Sequence, residues 1–231
     1  MTIPITDKQV IPLFAVPLCK TRIEEPAPEI IDYLQNKISY TRMLHSVAMN
    51  SDDHNVLDRE EVAPLRKALM DQVNEYLHNY LDADSKHEFY ITTSWMNQYN
   101  KNDYSGLHYH SNSLISGVLY FDDCTDTADI IFHKDKYVQN IFTDTVNIDH
   151  KKDFDLDKKG YLYHQRELNV TPSKWDLVLF PSNLNHSVAV NASEDNKRWT
   201  LAFNTFVRGT IGDSTSTVSY THLTLPTNRE V

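Results

Sequence analysis

Glu88-Phe-Tyr-Ile-Thr-Thr-Ser-Trp-Met-Asn-Gln-Tyr99 (EFYITTSWMNQY) is the stretch at which the chain changes character. Aromatic and β-branched residues crowd together there, the composition that suits a pleated, half-buried strand. The same signature recurs downstream in LISGVLYF (114–121), DIIFH (129–133), YVQNIF (137–142), GYLYHQRELNV (160–170), DLVLF (176–180), HSVAV (186–190) and RWTLAFNTFV (198–207). Polar turns such as NKND, DDCTDTAD and TPSKWD separate these runs, and no helical pattern intervenes. Short strands spaced by turns predict a β-sandwich or barrel over residues 88–210.

Upstream, residues 1–87 read as mixed and mainly helical. Ile30, Leu34 and Ile38 recur at four-residue spacing behind Pro28, a residue suited to a helix's first turn. A longer helix is predicted where Val62, Leu65, Leu69, Val73, Tyr76 and Tyr80 form an apolar stripe, with Asp58 and Glu61 as a capping box at its start. That stripe reads as core packing, so the prediction is a mainly β fold with flanking helices.

The 231 residues carry a net charge of −10, with 40% hydrophobic composition and a pI near 5.5. An acidic surface argues against sequence-independent binding of nucleic acid, which needs positive potential. Cys19 and Cys124 are too few for a disulfide framework. No stretch is long and apolar enough for a membrane span, and the N-terminus lacks a secretory layout, so the expected location is the cytoplasm. The segment 218–231 (VSYTHLTLPTNREV) resembles a translated sequencing adapter. It is excluded from the single domain expected over 1–217, and the natural sequence is expected to continue past Thr217.

The chemistry-bearing feature is Leu107-His108-Tyr109-His110. On a strand, residues two apart share a face, so His108 and His110 would project together as adjacent metal ligands. His186, in PSNLNHSV, is the candidate third ligand, and imidazole suits Fe, Zn, Cu and Ni alike. Period-two geometry puts Arg198, Thr200, Ala202 and Asn204 on one face of the last strand. A buried guanidinium there requires an anion, either a protein carboxylate or a bound diacid. His133 and His164 lie on expected strands and read as structural; His45, His54, His78, His87 and His150 read as surface residues.

Taken together, these pieces resemble the 2-oxoglutarate/Fe(II)-dependent oxygenases, in a branch common to marine phages and bacteria. The likeness runs from Pro12 to Gly212 and rests on Ser94-Trp95-Met96-Asn97, His108-x-His110, Ser116-Gly117-Val118-Leu119-Tyr120, the run Asp176 to Ser182, His186, and Arg198 to Asn204. It implies a double-stranded β-helix (jelly roll, cupin-like) and a 2-oxoglutarate-dependent dioxygenase using Fe(II), 2-oxoglutarate and O2. In that reading His108, His110 and His186 hold the metal, and Arg198, with Thr200 and Tyr120, binds the distal carboxylate of 2-oxoglutarate. Loops 101–106 and 149–160 would face the substrate. Two departures stand out. The wider superfamily has a carboxylate where His110 stands, so the set is either three histidines or one completed by water, Asp103 or Asp122. Trp175 occupies the glycine position of a Gly-Asp turn. Two competing readings are a cupin-like zinc or nickel protein without 2-oxoglutarate and a catalytically silent β-helix interaction module. The primary substrate is open, and a homodimer is allowed.

Overall fold

The computed structural model describes residues 15–42, 48–124, 129–134, 167–193, 197–211 and 218–220. Two antiparallel sheets dominate them. Strands β1 (Cys19–Arg22), β2 (Tyr40–Arg42), β3 (Met49–Ser51), β4 (Glu88–Tyr99), β6 (Ile115–Tyr120), β9 (Asp176–Pro181) and β11 (Arg198–Ile211) form the major sheet, in the order β1-β9-β6-β11-β4-β3-β2. The minor sheet has the order β5-β10-β7-β8, from β5 (Ser105–His108), β7 (Ile130–His133), β8 (Glu167–Val170) and β10 (His186–Val188). This is the two-sheet architecture expected of a double-stranded β-helix. Val218–Tyr220 (β12) pairs with β11 at Gly209 to Ile211.

Long strands organise the major sheet. β11 runs antiparallel to β4 from Arg198↔Tyr99 to Arg208↔Glu88, with a register shift between Asn204 and Thr205. Its other edge pairs with β6, matching Thr200 with Tyr120 and Phe203 with Gly117. Side chains alternate, so each strand shows one set of residues to the helices and another to the minor sheet.

The outward set is apolar. Ile91, Met96, Leu119, Leu177, Leu179, Leu201 and Phe203 join Ile30 of helix α1 (Pro28–Asp32) and Leu65, Leu69 and Val73 of helix α2 (Ala63–Glu75) in one buried cluster. Gly117 belongs here for a steric reason. A Cβ at that position would overlap the ring of Phe203, which lies across the glycine. The inward apolar set is smaller: Tyr120, Val178 and Phe180 meet Ile130 and Phe132 of the minor sheet.

The N-terminal third departs from the helical expectation by supplying β1, β2 and β3. Strands of three or four residues are too short to show a period, so they are invisible without their pairing partners. The first helix changes to a π-helical turn over Tyr33–Lys37, and Ile38 is already extended. The capping box does not form either. Asp58 closes a short 3-10 turn and pairs with Arg66 at 2.9 Å, while α2 begins after Val62 without a side-chain cap. The stripe is buried as expected through Tyr76, but Tyr80 is 66% exposed because the helix ends in a π turn that rotates it outward. Strand YVQNIF, the first part of 160–170, loop 149–160, His45, His150 and His164 lie outside the described residues.

Candidate active site

His108 and His186 face each other as register partners across β5 and β10. Between His186 and Val188 the pairing skips a residue, because Ser105, three before His108, opposes Val188. The extra residue makes a bulge at Gly106-Leu107, a device that re-aims a strand's side chains beside functional sites. His110 lies just beyond the end of β5, fixed by its N–H donating to the Ser182 carbonyl at 2.9 Å. His108 and His110 therefore do lie close together, but through a bulge and a strand end at His108 rather than along one continuous strand.

The three rings converge. Ring centroids lie 4.3 Å apart for His108 and His186, 5.1 Å for His110 and His186, and 5.3 Å for His108 and His110. One potential ligand atom from each lies within 4.8 Å of the others. No Asp or Glu joins them among the described residues. Asp103 is turned away toward Arg42, at 3.1 Å, and the Asn100 N–H, at 2.8 Å. Asp122 accepts the Trp199 N–H at 2.8 Å.

Hydrogen bonding decides which nitrogen each ring offers. His108 Nδ1 contacts the Gly106 carbonyl at 2.8 Å and His186 Nδ1 the Leu184 carbonyl at 2.9 Å. A carbonyl only accepts, so both Nδ1 atoms carry hydrogen and both Nε2 atoms keep their lone pairs for a metal. Burial keeps His186 and His110 neutral. It pulls His186 down to about 3, aided by His108 and opposed by the Leu184 contact. It pulls His110 down to about 4, again with help from His108. Neutral, oriented imidazoles are what a divalent first-row metal requires, and the donor set fits Fe(II).

Arg198 is 2% exposed on the inward face of β11. Its guanidinium carbon lies 4.4 Å from the Tyr99 ring centre and 5.9 Å from that of Tyr120. Tyr99 also reaches the minor sheet, with its hydroxyl 3.3 Å from Ser105 Oγ. Thr200 and Tyr120 are buried opposite each other. Burial raises the Tyr120 pKa against the pull of Arg198, so its hydroxyl stays protonated and able to donate. Phe180, packed with Tyr120, lies 4.8 Å from His186 and links the two parts of the site.

Residues 93–204 match a family model described as putative 2OG-Fe(II) oxygenase. Over those residues the chain matches the 2OG-Fe(II) oxygenase family. No curated protein matches it. Solved structures of similar fold include a 2OG-Fe(II) oxygenase family oxidoreductase from Burkholderia pseudomallei, 13% identical, TM-score 0.52, covering 76% of this chain and 75% of that one. A prolyl-4-hydroxylase from Pseudomonas putida is 15% identical, TM-score 0.50, with 83% and 94% covered. HygX from Streptomyces hygroscopicus, solved with nickel, 2-oxoglutarate and hygromycin B, is 10% identical, TM-score 0.54, with 82% of each chain covered. The matched span contains the three histidines, Tyr120, Arg198 and Thr200.

His133 is engaged structurally, by Ser187 Oγ at 2.8 Å and Glu167 at 3.2 Å. His78 is half-buried rather than superficial, held by the Ala83 carbonyl at 2.8 Å. Trp175 does adopt the left-handed backbone a glycine would take, with φ of 65°, and its indole packs edge-on against Phe121. Tyr99 beside Arg198 was given no role from the sequence, and Asn97, quoted there only as part of a motif, turns out to bond Thr200. Their signal was alternation along EFYITTSWMNQY, readable only once its pairing with β11 is known. No helix among the described residues is long and apolar enough to cross a membrane.

Proposed function

We propose that His108, His110 and His186 hold the Fe(II) of this oxygenase, and that Arg198, Thr200 and Tyr120 bind the distal carboxylate of 2-oxoglutarate. The observation that carries the reading is the convergence of three buried or half-buried imidazole donors within 4.8 Å. When bound, the metal and cosubstrate supply oxidative decarboxylation to succinate and CO2, coupled to oxidation of a primary substrate by O2. The chain's own work is positioning and exclusion of water.

The backbone contacts at Nδ1 of His108 and His186 leave Nε2 of each ring as the metal donor and restrain both rings before metal binds. With no carboxylate among the described residues joining the three histidines, the metal's charge would be left to the cosubstrate dianion. Arg198 attracts the other end of that dianion, bidentate recognition of a carboxylate being the guanidinium's particular geometry. Tyr99 and Tyr120 flank the guanidinium and restrict it to the space between the sheets. The same reading takes 1–217 as one cytoplasmic domain, loop 101–106 as a substrate-facing element, and a marine phage or bacterial source, all on sequence grounds alone.

Anaerobic addition of Fe(II) and 2-oxoglutarate is the test. A visible charge-transfer band is expected, and Arg198→Ala should abolish it at cosubstrate levels that saturate the unaltered protein. No band in metal-loaded protein overturns the assignment.

A further inference from the structure

The hydrogen bonds behind Thr200 run in one direction. The Trp95 indole N–H can only donate, and it reaches Asn97 Oδ1 at 3.1 Å. Asn50 Nδ2 donates to the same oxygen at 2.6 Å. Two donors on one oxygen fix the Asn97 amide, whose Nδ2 must then point the other way. It donates to Thr200 Oγ1 at 3.1 Å. An amide nitrogen cannot accept, so Thr200 receives this bond and its own hydroxyl hydrogen is directed elsewhere.

Asn50 Oδ1 is buried without a hydrogen-bond partner. Turning the Asn50 amide over would relieve that oxygen but set it against Asn97 Oδ1. Turning Asn97 as well would set its NH2 against the indole N–H. The indole therefore dictates the orientation of the whole row, even though one buried acceptor goes unsatisfied. Thr200 shares the inward face of β11 with Arg198, two residues away, and its hydroxyl makes no further hydrogen bond among the described residues.

We propose that Trp95 and Asn97 preset the Thr200 hydroxyl as a hydrogen-bond donor toward the carboxylate held by Arg198. Asn97 is thus a positioning residue for the cosubstrate. The inference rests on the reading that Arg198 and Thr200 take 2-oxoglutarate. A threonine hydroxyl left to rotate would present lone pairs to an anion in part of its population. The row behind it removes that population.

The test is a double-mutant cycle on cosubstrate affinity in the full chain, loaded with Zn(II) so that no turnover occurs, and read by calorimetric titration of 2-oxoglutarate. Thr200→Ser, which keeps the donor, should bind within about threefold of the unaltered protein, and Thr200→Val should bind about tenfold or more weaker. Asn97→Asp turns the neighbour into an acceptor for the Thr200 hydrogen and should also cost at least about tenfold. In the Thr200→Val background the same change should cost at least threefold less, because only its charge remains to act. Strict additivity overturns the proposal, and a merely structural Asn97 would lower Tm without any coupling. If Asn97→Asp does not fold, Trp95→Phe takes its place. Removal of the indole N–H should weaken binding severalfold with Thr200 present and not with Thr200→Val. Arg198→Gln separates the two levels of the argument. If it leaves affinity unchanged, the cosubstrate reading itself fails. If it abolishes binding while the cycle is additive, only the positioning role falls.

Discussion

The two faces of the major sheet differ in what they can tolerate. Along β11 the outward residues Trp199, Leu201 and Phe203 pack with the helices. The inward residues Arg198, Thr200, Ala202 and Asn204 sit among hydrogen-bonding groups, where Ser116 Oγ donates to Asn204 Oδ1 at 2.8 Å and Asn97 to Thr200. One strand thus contributes apolar side chains to the core on one side and presents hydrogen-bonding groups on the other. Folding free energy is concentrated outside and polar organisation inside, so the two should separate under mutation.

Phe203→Ala should have the largest effect. It empties a fully buried ring site above Gly117 and should cost about 3–5 kcal/mol in chemical denaturation. The surviving folded protein should bind metal with unchanged stoichiometry. His186→Ala should do the reverse. Metal affinity should fall a hundredfold or more, roughly 3 kcal/mol by equilibrium competition, while unfolding free energy changes by only about 1 kcal/mol. If either variant damages both properties equally, the separation of faces is wrong.

The smallest effect is a pH dependence confined to the inner face. In metal-free protein the His186 and His110 pKa values lie near 3 and 4, against 6.5 for an unperturbed histidine. The unfolded chain therefore binds protons first on acidification. Stability should decline as pH falls from about 6.5 and level off near 3, so far as these two groups contribute. His186→Gln should flatten the slope measured by denaturation at several pH values, and Phe203→Leu should leave it alone.

These contrasts also explain what was readable in the sequence. β4, β6, β9 and β11 are long, with apolar or alternating patterns, and their runs were legible at once. The convergence of the three histidines and the burial of Arg198 were legible because residue type and order pointed to them. The bulge at Gly106-Leu107 was not, since a register shift exists only relative to a partner strand. Asp58 and Glu61 matched a capping spacing, but Asp58 found Arg66 instead, and local motifs yield to such tertiary alternatives. Trp175 looked like a departure because glycine is the cheap occupant of a left-handed position. Its packing on Phe121 is what lets a bulky residue stay there.

Strand β5 is four residues long and sits at the margin of its sheet, with β10 as its one partner among the described residues. A segment so thinly tethered ought to fray, yet it and the residues just after it carry two of the three imidazoles. A cation gripped by rings from both β10 and this margin would act as a rivet. Loading the metal would then do for the rim of the molecule what the helices do for its back, and catalytic readiness and local rigidity would arrive in a single event.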